Sequence, residues 1–315
     1  MASLFSRSSR ALPYFTGATG LAAAGATYYA SRRPMLLDSA QNAPKKALSM
    51  PTSMLFPKEI TVTTVEQVNH DTKRITFSLP GGDSEISGVP FGAAILTAHQ
   101  PTSGWLPVFR PYTPISDPDE RGVLQLLVKQ YPNGRASSYL HSLSPGSKLT
   151  VRGPIPAYNW AVPMSPRDIV LIAGGAGITP IYSLTKGILS NANDKTRVQL
   201  VWGVNSTRDI VLKKELDALE KQYPERLQVT YCVSGPEGKP DAPSLGDEAK
   251  YKKGYVDSAV LKEVIAKAKK EGVWGDEKGT KVFICGPPAM QEAIAGKKGL
   301  LGGEYGLVKK EIHAF

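Results

Sequence analysis

Three short motifs follow one another along this 315-residue chain, and each contains residues that could bind a phosphorylated cofactor. They are Arg110–Ser116 (RPYTPIS), Gly174–Pro180 (GGAGITP) and Cys285–Met290 (CGPPAM). Each motif follows a run of residues that is typical of a β-strand. Any one of them alone would be weak evidence, so the functional prediction rests on their combination and their order.

The first motif could hold a diphosphate and a flat heterocycle on one strand. Arg110 and Tyr112 share one face of a strand, and Thr113 lies on the other. A guanidinium can bind a diphosphate through paired hydrogen bonds. An aromatic ring can pack on a heterocycle, and a hydroxyl can bond one of its ring nitrogens. An edge strand with a surface arginine and a core tyrosine would contain the same residues, so the motif alone does not decide.

A second segment of the same predicted domain, Gly134–Leu140 (GRASSYL), has the composition of a phosphate-binding helix start. It follows a strand, opens with glycine and has serines where a helix would begin. Exposed backbone N–H groups at a helix start bind phosphate. An ordinary N-capped helix needs the same residues. Because this helix start accompanies the Arg110 guanidinium, we expect a dinucleotide-sized cofactor in this domain.

The second and third motifs fit the carboxyl edge of a parallel sheet. Gly174–Gly177 ends a continuous apolar run and precedes Pro180, which suits the first turn of a helix. The turn lacks the G-x-G-x-x-G fingerprint, yet a turn without side chains still leaves room for a diphosphate. Cys285 would border the same crevice, although a buried, inert cysteine is the alternative. The three motifs together imply a flavin site followed by a nicotinamide site, and electron transfer from a dinucleotide through a flavin to an acceptor.

The elements that must position these motifs form two predicted domains. Short alternating runs separated by Gly/Pro turns predict an antiparallel β-barrel over residues 58–160, which carries the flavin-site motifs. Apolar strands alternating with helices predict an α/β doubly wound parallel sheet over residues 161–315. The strands are expected at Ile60–Val65, Arg74–Leu79, Ala93–Ala98, Val123–Tyr131, Lys148–Val151, Asp168–Ala173, Val198–Val204, Leu227–Val233 and Lys281–Cys285, and helices at Leu212–Gln222 and Ser258–Lys269.

Composition excludes several functions. The net charge is +10, which suits an acidic protein partner or an anionic membrane. No basic run is interleaved with aromatic residues, so nucleic acid is not an expected partner. The two cysteines and four scattered histidines have no metal-ligand spacing, so neither a metal site nor an iron–sulfur cluster is predicted.

Residues 1–34 differ from the rest of the chain. They are rich in serine and arginine, and no acidic residue precedes Asp38, which is typical of mitochondrial targeting. The apolar run Ala11–Ala30 has about the ~20 residues that cross a bilayer as a helix. We expect a targeting segment that also anchors; a cleaved presequence and a secretory signal are the alternatives. Residues 35–57, which contain several prolines, are expected to be an extended linker.

From about Lys58 to Phe315 the chain resembles the NADH–cytochrome b5 reductases of the ferredoxin-reductase superfamily, and its N-terminus is most similar to that of the mitochondrial fungal type. Arg110–Ser116 and Gly134–Leu140 match the flavin side of the family, and the other two motifs match its nicotinamide side. The resemblance implies FAD rather than FMN, NADH as the donor and an acidic haem protein such as cytochrome b5 as the acceptor. It also implies a location at the mitochondrial outer membrane or in the intermembrane space.

The resemblance further implies the roles of individual residues. Thr113, Thr179 and Cys285 would lie beside the reacting atoms, and Asp209 would disfavour a 2′-phosphate. The cofactor-binding residues on the flavin side would be Arg110, Pro111, Tyr112, Thr113, Ser116, Val128, Lys129, Tyr131, Gly134, Ala136, Ser137 and Thr179. Those on the nicotinamide side would be Gly174, Gly175, Gly177, Asp209, Cys285, Gly286, Pro287, Met290 and Phe315. Ala176, Ala289 and the short loop between Tyr131 and Gly134 depart from the family pattern.

Two other functions stay open at the level of sequence. One is a reductase with another donor or acceptor, such as an NADPH-dependent enzyme or a semidehydroascorbate-type reductase. Asp209 and the lack of a basic cluster near Arg208 argue against NADPH, because a 2′-phosphate attracts cations. The other is a membrane-tethered interaction protein that keeps a reductase fold without turnover.

Overall fold

The computed structural model describes residues 43–101, 106–163, 167–238, 245–247, 249–270, 273–275 and 279–315. The predicted targeting segment, residues 1–34, lies outside these ranges, as do residues 35–42 of the predicted linker. Residues 1–45 and 46–315 form separate units, and the fold is that of the second. Among the described residues, no helix has the length and apolar character that a membrane span requires.

The first domain is built on six antiparallel strands. They are β2 (Lys58–Gln67), β3 (Thr72–Ser78), β5 (Ala94–His99), β6 (Val108–Tyr112), β7 (Val123–Lys129) and β8 (Lys148–Ile155), and the shorter elements are β1 (Lys45–Lys46), α1 (Thr52–Leu55), β4 (Glu85–Ile86) and α2 (Arg135–Ser142). The six strands pair in the order β6-β5-β8-β2-β3-β7. Alternate residues such as Ile75 and Phe77 are fully buried, because successive side chains of a strand point to opposite faces. This sheet is the antiparallel first domain that the sequence predicts.

The second half of the stretch 35–57 is not an extended linker. Leu48 is fully buried and Ala47 nearly so, and both belong to the core of the first domain. The Arg152 guanidinium holds α1 by donating a hydrogen bond to the Leu55 carbonyl oxygen at 3.1 Å. Pro51 and Pro57 therefore lie on either side of a short helix that packs on the sheet. The folded first domain begins well before residue 58. Burial of Leu48 outweighs the preference of a proline-bearing stretch for an extended conformation.

The second domain is a parallel sheet covered on both faces. Its strands are β9 (Arg167–Gly174), β10 (Arg197–Val204), β11 (Leu227–Val233), β12 (Tyr251–Lys253), β13 (Val273–Trp274), β14 (Val282–Cys285) and β15 (Ile312–Ala314). Its helices are α3 (Ile178–Ser190), α4 (Lys213–Gln222), α5 (Ser258–Lys270), α6 (Pro288–Ala295) and α7 (Leu300–Gly303). The strand order is β12-β11-β10-β9-β14-β15, and β13 also pairs with β9.

The central strand β9 explains why the sheet is doubly wound. Every residue of β9 is buried. Ile169 and Leu171 join the core that contains α3 and α4, whereas Val170 and Ile172 join the core that contains α5. A strand with an apolar residue at each position can pack against helices on both sides. The glycine turn, Gly174–Gly177, lies at the carboxyl end of this buried strand and therefore at the carboxyl edge of the sheet.

Candidate functional site

A cavity of about 960 Å³ lies between the two domains, and we call it the larger cavity. It collects most of the predicted flavin-side residues: Arg110, Pro111, Tyr112, Thr113, Lys129, Tyr131, Gly134, Ala136, Ser137 and Thr179. Residues predicted for the nicotinamide side also line it: Gly174, Gly177, Cys285, Gly286, Pro287 and Phe315. Motifs that are far apart in the sequence thus meet around one space.

Two residues predicted for the flavin side do not line this cavity. The Val128 side chain is fully buried in the core of the first domain, because it alternates with the cavity-lining Lys129 along β7. The Ser116 hydroxyl accepts a hydrogen bond from the Gln125 backbone N–H at 3.0 Å, and the side chain is buried. Ser116 therefore stabilises the loop after β6.

The first motif places a guanidinium and a neutral phenol at the cavity wall. Arg110 is exposed, and its guanidinium donates to the Phe109 carbonyl oxygen at 2.7 Å. Within the described part of the chain it forms no ion pair with a carboxylate, so its charge is available to a phosphate. Burial raises the pKa of Tyr112 to about 12, against the opposing charge of Arg110. The Tyr112 ring is thus an uncharged surface beside a cation.

A tight turn presents the start of α2 to the cavity. The Ser137 hydroxyl accepts a hydrogen bond from the Tyr131 N–H at 3.2 Å and donates one to the Gly134 carbonyl oxygen at 3.1 Å. A Cβ atom on Gly134 would overlap this hydroxyl. Glycine is therefore needed for the turn, and the first N–H groups of α2 are left to bind an anion.

The glycine turn after β9 packs directly on the Cys285–Met290 loop. A Cβ atom on Gly177 would overlap the Cys285 carbonyl oxygen and lie 2.5 Å from the carbonyl carbon. A Cβ atom on Gly174 would overlap the Met290 sulfur and lie 2.9 Å from Pro287 Cδ. The Trp202 indole holds the turn by donating to the Gly175 carbonyl oxygen at 3.0 Å. Glycine at 174 and 177 therefore lets the carboxyl ends of β9 and β14 lie in contact beside the cavity.

A smaller cavity of about 490 Å³ adjoins the larger one along the carboxyl edge of the parallel sheet. Both cavities are lined by Lys129, Tyr131, Gly174 and Thr179, so they share a wall. The predicted residues Gly175, Asp209 and Met290 line the smaller cavity. A ligand in one cavity would therefore lie next to a ligand in the other.

The smaller cavity also contains residues that the sequence analysis missed. They are Trp202, Asn205, Ser234 and Tyr255. Asn205 and Ser234 follow the ends of β10 and β11, and that position at a sheet edge was a usable signal. Tyr255 is 75% exposed at the mouth of the cavity, and no pattern in the sequence distinguishes it from other tyrosines.

Asp209 lies at the edge of the smaller cavity with its carboxylate already engaged. One oxygen accepts hydrogen bonds from the Ser206 N–H at 2.9 Å and the Ser206 hydroxyl at 3.1 Å. The other oxygen lies 3.4 Å from the Lys129 amine. A carboxylate with these partners has few acceptor sites left for a ribose hydroxyl.

Cys285 presents a neutral thiol to the larger cavity, since burial raises its pKa to about 11. The thiolate fraction should therefore rise about tenfold for each pH unit between 7 and 9. We expect the rate of alkylation of Cys285 by iodoacetamide in the FAD-loaded protein to rise in the same proportion, and NAD⁺ to slow it. Buried Cys232, with its pKa raised to about 12 by burial, is the internal control. A rate already on its plateau at pH 7 would contradict this interpretation.

Comparison with known protein families defines the class. Residues 59–160 match the model of the oxidoreductase FAD-binding domain, and residues 171–296 match that of the oxidoreductase NAD-binding domain. The chain is therefore a two-domain oxidoreductase with FAD and NADH as cofactors.

The individual relatives are more specific. The chain is 42% identical over 255 residues to NADH-cytochrome b5 reductase 2 of Pyricularia oryzae, covering 81% of this chain and 71% of the relative. It is 37% identical over 311 residues to NADH-cytochrome b5 reductase 2 of Coccidioides immitis, covering 95% and 89%. The cytochrome b5 reductase domain of Ulva prolifera nitrate reductase is similar in structure, with a TM-score of 0.69 and 29% identity over 87% of this chain and all of that domain. The chain belongs to the NADH–cytochrome b5 reductase family.

The residues of the larger cavity fit FAD. Arg110 and the start of α2 would hold its diphosphate, and Tyr112 offers an uncharged ring for its heterocycle. Gly134 and Gly177 also line the cavity, and a Cβ at either position would overlap neighbouring protein atoms, so glycine lets these turns pack tightly at its wall. When bound, the flavin accepts a hydride from NADH and releases electrons one at a time.

Proposed function

We propose that this protein passes electrons from NADH through FAD to cytochrome b5, or to a similar acidic one-electron haem protein. The observation that carries the proposal is the shared wall of the two cavities, formed in part by Lys129 and Thr179. Nicotinamide and flavin must be neighbours for hydride transfer, and adjoining cavities meet that requirement. Curated relatives that are about 40% identical carry the name NADH-cytochrome b5 reductase 2.

The protein contributes position and exclusion of water, because hydride transfer needs no protein nucleophile. Thr113 is buried and lines the larger cavity, and its hydroxyl would bond a polar atom of the flavin. Thr179, in the first turn of α3, lines both cavities and would fix the nicotinamide against the flavin. The neutral Cys285 thiol lines the larger cavity without adding charge to the site.

The net charge of +10 supports an acidic acceptor. Complementary charge raises the rate of encounter between two proteins. A small anionic radical such as semidehydroascorbate carries a single charge, so the same surface attracts it less than a protein with many acidic groups. An acidic haem protein is therefore the favoured acceptor.

The proposed function is tested by the flavin spectrum of the purified protein. We expect a yellow protein that NADH bleaches rapidly and NADPH slowly, and that cytochrome b5 reoxidises faster than a semidehydroascorbate-generating system does. The reoxidation rate with cytochrome b5 should fall as salt screens the attraction. A colourless protein that FAD cannot reconstitute would instead support the non-catalytic interaction protein.

We further propose that residues 1–34 direct the protein to mitochondria and anchor it to the outer membrane, with the catalytic body facing a membrane-bound acceptor. Support comes from the serine- and arginine-rich start, the apolar run and the absence of acidic residues before Asp38. Anchoring raises the effective concentration of two proteins on the same membrane. An intermembrane-space form, released by cleavage of the segment, is the alternative.

A truncated chain that begins at Ala43 is expected to be soluble, flavin-loaded and active with a soluble acceptor, but diffuse in the cell. A chain that begins at Met50 loses the buried Leu48 side chain and should be about 2–5 kcal/mol less stable. Thermal unfolding of both chains and fractionation of cells expressing them check these expectations. Recovery of the Ala43 chain with mitochondrial membranes would remove residues 1–42 from the anchoring role.

A further inference from the structure

An ion-pair cluster joins the two domains where the two cavities meet. The Lys129 amine bonds the Asp71 carboxylate, from the loop between β2 and β3, and lies 3.4 Å from Asp209 Oδ1 in the second domain. His70 Nε2 lies 3.4 Å from Asp71 and 3.8 Å from Asp209. We call these four residues the Lys129 junction. Lys129 also lines both cavities, so the cluster is continuous with the site.

The junction is held from both sides. In the second domain, Asp209 is fixed through its other oxygen by the Ser206 N–H at 2.9 Å. Beside the junction, the Asn69 amide donates a hydrogen bond to the Arg208 carbonyl oxygen at 2.9 Å, again between the domains. The two loops, 69–71 and 206–209, are thus joined by a neutral bond as well as by charges. Their relative position depends on contacts that meet at Lys129.

The electrostatics favour a charged lysine between two charged carboxylates. Burial alone would lower the pKa of Lys129, but the hydrogen bonds and charges of Asp71 and Asp209 outweigh it and raise the pKa. Burial likewise acts to raise the pKa of Asp71, yet its bonds to Lys129 and Thr72 lower it. The side chains of Lys129 and Asp71 are each 22% exposed and that of Asp209 is 12% exposed, so solvent screens them less than a surface pair.

A metal site is the other interpretation of this geometry. His70, Asp71 and Asp209 each offer an atom within 4.8 Å of the others, as cation ligands do. The Lys129 amine, however, already bonds Asp71 and lies 3.4 Å from Asp209, on the side that the two carboxylates share. A cation there would have to displace a fixed positive charge. The geometry therefore favours an ion-pair junction over a metal centre.

We propose that the Lys129 junction positions the two domains and the Lys129 amine for binding of the dinucleotide, and that Asp209 acts through Lys129 rather than by bonding the ribose. This inference rests on the proposed function. Asp209 then sets how tightly any nicotinamide dinucleotide binds, and it does not select between a 2′-hydroxyl and a 2′-phosphate. It is a positioning residue, and the origin of nucleotide preference lies elsewhere in the smaller cavity.

The test is a double-mutant cycle in the full-length, FAD-loaded protein with Asp209→Asn, Lys129→Met and the double variant. We expect Asp209→Asn to raise KM for NADH about 3- to 10-fold, with kcat changed by no more than about twofold. The ratio of kcat/KM for NADH over NADPH should be unchanged. The double variant should bind NADH no more weakly than Lys129→Met alone, because the two side chains act together. Added salt should raise KM of the unaltered protein more than that of Asp209→Asn.

Controls separate this role from a general loosening of the domains. Asp117→Asn removes another pair between the domains, the 2.6 Å contact of Asp117 with Lys186, and neither residue lines the two cavities. It should leave KM unchanged, whereas Asp209→Glu should restore most of the affinity. If Asp209→Asn fails to fold, Asp71→Asn removes the first-domain carboxylate of the Lys129 junction instead. We expect the same rise of KM for NADH and the same unchanged ratio of NADH to NADPH.

Two outcomes overturn the inference. One is a shift of the NADH/NADPH ratio by about tenfold or more towards NADPH in Asp209→Asn, with effects that add to those of Lys129→Met, which would make Asp209 a ribose ligand. The other is an equal rise of KM in Asp117→Asn. Failure of the proposed function would be distinguishable from failure of this inference, because the flavin of the unaltered protein would then not be bleached by NADH.

Discussion

Replacing Gly177 by alanine is expected to slow reduction of the bound flavin by NADH roughly 100-fold, because a displacement of about 1 Å at the reacting groups can cost that much. The new Cβ would overlap the Cys285 carbonyl oxygen and lie 2.5 Å from its carbon and 2.9 Å from the Gly286 nitrogen. These are backbone atoms, so the glycine turn and the Cys285 loop must separate. FAD should stay bound, since Arg110 and α2 belong to the other domain. Stopped-flow absorbance at saturating NADH measures the effect.

The control for this substitution is Gly303→Ala. A Cβ there would have its nearest neighbour, the Lys298 carbonyl oxygen, at 3.8 Å, which is ordinary contact. That variant should reduce its flavin at the unaltered rate. Equal rates in Gly177→Ala and the unaltered protein would mean that the contact between the turn and the Cys285 loop does not set the nicotinamide position.

Replacing Arg110 by alanine is expected to weaken FAD binding by 10- to 100-fold, because a hydrogen bond to a charged group contributes about 1.5–3 kcal/mol. The Arg110 side chain is exposed to the larger cavity and has no carboxylate partner among the described residues, so its loss should affect the ligand more than the fold. The measurement is the ratio of flavin to protein absorbance after prolonged dialysis.

Arg121→Ala is the matched control for Arg110→Ala. Arg121 is also exposed on the first domain, but its guanidinium donates to the Asp83 carbonyl oxygen at 3.2 Å and does not line the larger cavity. It should retain FAD fully. Full flavin occupancy of Arg110→Ala after the same dialysis would show that the diphosphate is held by other groups, such as the start of α2.

Much of the fold could be predicted because its signals are local. The apolar run at β9 has the composition of a strand buried on both faces, and the structure confirms it. The glycines at 174 and 177 predict room for a diphosphate, and the structure shows in addition that they let the turn pack against the Cys285–Met290 loop. The two-domain class and the family were recognised from motif order, and the comparisons confirm both.

What could not be predicted depends on distant contacts. Strand β15 has three residues and exists because it pairs in parallel with β14, which is about 30 residues away. Leu48 stands between Pro44 and Pro51, and only its burial among core residues of the first domain shows that it belongs there. Nothing near Asp209 in the sequence shows that its carboxylate lies 3.4 Å from the Lys129 amine of the other domain. No local pattern contains such a pair.

Because both domains line the larger cavity, the amount of this protein in a cell should depend on the supply of flavin. Its walls come from β6 and α2 of one domain and from the glycine turn and Phe315 of the other, so FAD makes all of its contacts only in the folded two-domain protein. A ligand that binds only the folded state stabilises it by about 2.7 kcal/mol at a concentration 100 times its Kd. Proteases act on the unfolded fraction, so a cell short of flavin would hold less of this protein, not merely a less active form of it.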